Sequence, residues 1–125
     1  MAKKTVLAIG LEPGFADLAA FPQFTPELVR SYIETQIERL RERGFAAESC
    51  LIDSGETAEA VATTALRSKH FDCVVIGAGL RQPAQHLLLF EKIVNLVHRF
   101  APGAKICFNT TPADTTEAVL RWIEA

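Results

Sequence analysis

"VVIGAGLRQPAQH", Val74–His86, decides the fold. Three apolar residues run into two glycines one residue apart, and a proline follows four positions after Gly79. A short run that is apolar on both sides of the chain suits a strand covered on both sheet faces, the pattern of a parallel sheet. Glycine allows close backbone approach, and proline suits the first position of a helix. The stretch therefore predicts a strand within "FDCVVIGAG", a tight turn, and a helix from Pro83 to near Phe100.

The same alternation repeats outward in both directions. "KTVLAIGL" (Lys4–Leu11) is an apolar strand, followed by the long connection Glu12–Thr25. Thr25 then reads as a helix cap with Pro26 at the first helical position. Leu28, Val29, Tyr32, Ile33, Ile37 and Leu40 form one apolar stripe at helical spacing, and Gly44 stops that helix. "FAAESCLI" (Phe45–Ile52) is a second strand. Asp53 with Glu56 has the spacing of a capping box, and Ala58, Val61, Ala62, Ala65 and Leu66 give the next helix its stripe. After the Val74 strand and its helix, "PGA" turns the chain into "KICFN". Asp114 with Glu117 repeats the capping spacing before a short last helix in "TTEAVLRWIEA".

Strands that alternate with helices imply parallel pairing with right-handed crossovers. The 125 residues, 49% of them hydrophobic, suit one domain spanning 1–125. The expected architecture is three-layer α/β: a doubly wound, four-stranded parallel sheet in order 2-1-3-4. Strand order reverses between the first and third strands, and ligands of such sheets lie beyond the carboxyl ends of the strands there.

That geometry sets "GLEPG" and "GAGLRQP" on either side of one crevice. One reading gives Gly77 and Gly79 a turn role only. The other gives them a small anionic or phosphorylated ligand, with the helix N-terminus behind and Arg81 as a bidentate partner. Gln82, Asn109 and Thr110 would line such a site. His86, expected in the first helical turn, is either a surface or capping histidine or a general base, because a helix N-terminus disfavours an imidazolium. His70 reads as a helix-end residue, and His98 with Asn95 as a polar helix face. GxGxxG fails because residue 82 is Gln, and no Walker sequence occurs. No cluster has metal-ligand spacing, no nucleophile is evident, and no cofactor is indicated.

A formal net charge of -2 and a pI of about 5.9 argue against a general nucleic-acid binder. No stretch reads as a signal peptide, and no apolar run approaches the roughly 18 residues of a membrane span. The expectation is a cytoplasmic chain that engages neither membrane nor nucleic acid. Cys50, Cys73 and Cys107, an odd number without CxxC spacing, read as reduced, buried thiols. Phe15, Leu18, Phe21 and Phe24 make the Glu12–Thr25 loop too apolar to stay in solvent. It folds back on its own domain, covers the crevice, or meets a partner. Leu87–Phe90 is apolar all round its helical turn, which suggests a homodimer.

The predicted order resembles flavodoxin-like, Rossmann-like and response-regulator receiver domains. Receiver chemistry needs an acidic pair after the first strand and an aspartate ending the third. Those places hold Ile9, Gly10 and Ile76, Gly77, and Asp72 sits at the wrong end of its strand. "GLEPGF" likewise lacks the flavodoxin Ser/Thr-rich phosphate loop. Val74–Ile123 is similar to a family of small uncharacterised bacterial single-domain proteins, a likeness that implies the architecture and supplies no mechanism. Two functions follow as expectations: a domain binding a small anionic ligand at the ends of strands 1 and 3, or a receiver-like interaction or dimerisation module without chemistry.

Overall fold

The computed structural model describes residues 2–16, 18 and 23–125. Its four strands are β1 (Thr5–Leu11), β2 (Ala46–Ile52), β3 (Cys73–Ile76) and β4 (Lys105–Phe108). All pairings are parallel, and the order is β2-β1-β3-β4. Five α-helices alternate with them: α1 (Pro26–Glu42), α2 (Ala58–Arg67), α3 (Ala78–Arg81), α4 (Leu87–Phe100) and α5 (Thr115–Leu120). The doubly wound α/β architecture expected from the apolar runs is the one formed.

Successive residues of a strand point to opposite sheet faces, and the two cores divide accordingly. Leu7, Ile9, Leu11, Cys50, Ile52, Val74 and Ile76 join Ala58, Ala62 and Leu66 of α2 and Ile93, Leu96 and Val97 of α4. Val6, Ala47, Cys73, Val75 and Cys107 join Ile37 and Leu40 of α1 and Ala118 and Val119 of α5 on the other face. All four residues of β3 are buried, as the apolar run at Val74 requires. The alternation of the sequence thus becomes two helical layers over one sheet.

Helix ends follow local chemistry. Thr25 Oγ1 accepts from the Leu28 N–H at 3.1 Å, and Pro26 opens α1. Gly44 follows α1 with φ 101°, a left-handed conformation that favours glycine. Two residues of the expected stripes lie partly outside the core: Leu28 is 37% and Val61 40% exposed.

The segment after β3 departs from expectation. The chain becomes helical at Ala78 rather than at Pro83, with extended Gly77 as its cap. Gln82 N–H closes this single turn on Ala78 O at 2.8 Å. Pro83 has no N–H to continue the ladder, and it is extended, with ψ 127°. A 3₁₀ turn over Ala84–His86 then leads into α4. The long helix therefore begins at Leu87, and its N-terminus does not stand immediately behind the glycine turn.

All three cysteines are free and buried. Cys73 and Cys107, on adjacent strands, have sulfurs 3.6 Å apart. The hydrogen bond to Cys107 and burial both push the Cys73 thiol up, which keeps it unreactive.

Candidate functional site

The carboxyl ends of β1, β3 and β4 meet at one rim. Gly77 N–H donates to Ile9 O at 2.9 Å, and a Cβ on Gly77 would lie 3.5 Å from Gly10 Cα. The turns after β1 and β3 are therefore in direct contact, as the strand-order argument requires. Neither Gly77 nor Gly79 has positive φ, so their use lies in close approach and open space rather than in backbone conformation.

Asn109, at the end of β4, joins the turns. It is 6% exposed. Its Oδ1 accepts from Ala78 N–H at 2.8 Å, and its Nδ2 donates to Thr115 Oγ1 at 3.0 Å. Gln82 Nε2 donates to Thr110 O at 3.2 Å. The Asp114 carboxylate accepts from the N–H groups of Thr110 and Thr111 at 2.9 and 3.1 Å, and from the Thr110 hydroxyl. It makes no side-chain cap on α5; the expected capping box is instead a turn folded back on the carboxylate. Asp53 behaves similarly ahead of α2, accepting from Gly55 N–H and from the N–H and hydroxyl of Thr57.

Arg81 is engaged by the turns themselves. Its Nη2 donates to Asn109 O at 2.8 Å, and its guanidinium lies 5.4 Å from the Phe108 ring centroid. Its Nη1 is buried without a hydrogen-bond partner. Arg81 is not among the residues that line the cleft. The guanidinium expected to hold an anion serves here as a tie between the turns after β3 and β4.

Beneath the rim lies a cleft of about 470 Å³. Ile9 and Leu11 of β1, Val29, Ile33 and Ile37 of α1, and Leu18 and Phe24 of the first loop form its apolar wall. Gly77, Gly79, Gln82, His86, Asn109 and Thr110 also line it, so every expected site residue except Arg81 is gathered there. Leu18 and Phe24 thus fold back toward their own domain, Phe24 meeting Tyr32 edge-on at 6.2 Å. Phe15 is exposed; Phe21 lies outside the described residues.

His86 ends the 3₁₀ turn ahead of α4 and is 9% exposed. No described group hydrogen-bonds its ring. It is the only side chain lining the cleft, among the described residues, that can carry a charge. The other histidines stand apart: His70 Nε2 meets Asp72 Oδ1 at 3.1 Å, and His98 is exposed on α4. Among the described residues no three His, Cys, Asp or Glu side chains are grouped to hold a metal, and no helix is long and apolar enough to cross a membrane.

Gln36 completes the site, and its signal was present in the sequence. It is a polar residue on the buried stripe of α1, one position before Ile37. Its Nε2 donates to Ala113 O at 2.8 Å, and its Oε1 accepts from Thr116 N–H at 2.9 Å. That one amide fixes α1, the cleft's long wall, against the start of α5.

Three aspartates titrate low. The Thr57 hydroxyl and the Gly55 N–H hold Asp53 below the ordinary range. The Thr5 N–H does the same for Asp72. At Asp114 partial burial pushes upward, but the bonds from Thr110 and Thr111 and the nearby Arg121 outweigh it. A carboxyl that ionises more readily folded than unfolded stabilises the fold above its unfolded value, near 3.9. That stabilisation is lost as pH falls through the lower folded values. Thermal stability is accordingly expected to hold from pH 7 to about 5 and to drop below about 4. Asp114→Asn, measured by pH-dependent thermal unfolding, is expected to flatten that drop.

No family model matches the chain, and no curated protein matches it.

Proposed function

We propose that this chain is a small-molecule-binding domain whose ligand sits beyond the carboxyl ends of β1 and β3. One observation carries the reading: an apolar cleft of about 470 Å³ opens where strand order reverses. This is the position ligands take in doubly wound sheets, and the size is ordinary for a ligand site. The polar side chains of the three turns are spent on one another, so the rim is held in shape before a ligand arrives, which lowers the cost of binding. His86 has no described acid, base or nucleophile bonded to it, so the proposal is binding rather than catalysis.

Fragment screening by amide NMR tests this. Hits are expected to shift the amides of Gly10, Leu11, Gly77 and Gly79. Gly79 is exposed, and a Cβ there lies 3.9 Å from Leu11 Cβ. Gly79→Trp therefore places a ring at the cleft mouth and is expected to abolish those shifts. Hits that ignore Gly79→Trp would refute the site.

The exposed side chains of Leu87 (57%) and Leu88 (78%) favour a second reading, self-association through the start of α4. Leu89 and Phe90 of the same turn pack inward against the core, which leaves the first two without cover from their own helix layer. Sedimentation is expected to show a dimer that Leu88→Glu converts to a monomer. A wild-type monomer at high concentration would end this reading.

A further inference from the structure

Resting on the binding reading above, we infer that the cleft takes an uncharged ligand: an apolar body with one hydrogen-bonding head group, a hydroxyl or amide, held by His86. No described residue lining the cleft is Asp, Glu, Lys or Arg, and residues 17 and 19–22 hold one acid, Asp17, and no Lys, Arg or His. Glu12, Asp114 and Arg81, which adjoin lining residues in the sequence, already hold partners. Glu12 pairs with Arg30, Asp114 is filled by Thr110 and Thr111, and Arg81 is bound to Asn109 O. A phosphate or sulfonate entering the cleft would lose its hydration and meet no Lys or Arg in the described lining, which is unfavourable.

His86 supplies the polar end. It is nine-tenths buried, lines the cleft, and its ring is bonded to no described group. An uncharged imidazole offers one donor and one acceptor, which suits a hydroxyl or amide that can give and take a proton-bearing contact. At ordinary packing density the cleft holds roughly 10 to 20 non-hydrogen atoms. Ile9, Leu11, Ile33 and Phe24 present hydrocarbon along its wall.

Matched probes test the inference on the intact chain. 2-Naphthol and 4-phenyl-1-butanol, one rigid and one flexible, are titrated by calorimetry against their phosphate monoesters and against naphthalene. At least one alcohol is expected to bind, at least tenfold tighter than its own phosphate ester. Naphthalene is expected to bind several-fold more weakly than 2-naphthol, and His86→Phe is expected to erase that difference while keeping the preference over the ester. In the wild type, the His86 ring nitrogen resonances are expected to move during the alcohol titration, a readout that does not depend on the variant folding. A tighter phosphate ester whose binding Gly79→Trp abolishes would overturn the uncharged-ligand inference and leave the binding site standing. If no probe binds, or if binding survives Gly79→Trp, the site falls and the inference with it.

Discussion

Asn109→Ala is expected to lower folding stability by about 3 kcal/mol and the Tm by roughly 10 °C. The substitution removes the acceptor for Ala78 N–H and the donor to Thr115 Oγ1. Both partners lie in a region where Asn109 is 6% and Thr115 6% exposed, so water does not readily replace the lost contacts. A buried donor or acceptor left without a partner costs about 1–3 kcal/mol. Thr115→Val breaks one of the same bonds, so the double variant is expected to lose less than the sum of the two single losses. Denaturant unfolding of the three variants measures this. Strict additivity would show that Asn109 and Thr115 do not act together.

Leu80→Ala is expected to cost about 3 kcal/mol as well, for a different reason. Leu80 is fully buried in the core under α2 and α4, and it lies in a helix of only four residues. A helix that short has no stability of its own; tertiary packing must hold it. Removing the side chain leaves a cavity and frees the turn that carries Ala78 and Gly79. Ligand binding is therefore expected to weaken several-fold along with stability. Leu80→Met, which conserves volume, is expected to cost less than about 1.5 kcal/mol and to bind normally. A Leu80→Ala variant with wild-type Tm would show that α3 is not anchored this way.

The layout of the sheet was legible because it rests on patterns that local sequence carries. Apolar runs at Val6 and Val74 had to be buried strands, and the run at Ile106 forms the half-buried edge strand β4. Thr25-Pro26 and Gly44 mark the ends of α1 by capping and by left-handed geometry, and both operate as expected. What was not legible depends on contacts between distant residues. The one-turn α3 is too short to show a period, so Pro83 looked like the start of a helix that in fact begins at Leu87. Aspartate followed three residues later by glutamate has capping-box spacing at Asp53 and Asp114, but each carboxylate folds the turn in front of its helix. Arg81 offered a cation beside a glycine turn. Its actual partners, Asn109 O and the Phe108 ring, lie 28 and 27 positions away and come within reach only once β3 and β4 pair. The expected site residues other than Arg81 line one cleft whose wall is hydrocarbon from α1, β1 and the first loop, while Arg81 and Asp114 are bonded to neutral groups of the surrounding turns.

Crystals soaked with 2-naphthol give the most direct test of the proposed binding site. The account predicts difference density between Leu11 and Ile33, with the hydroxyl at hydrogen-bond distance from the His86 ring. Density confined to the start of α4, or an empty cleft at saturating 2-naphthol, would contradict it.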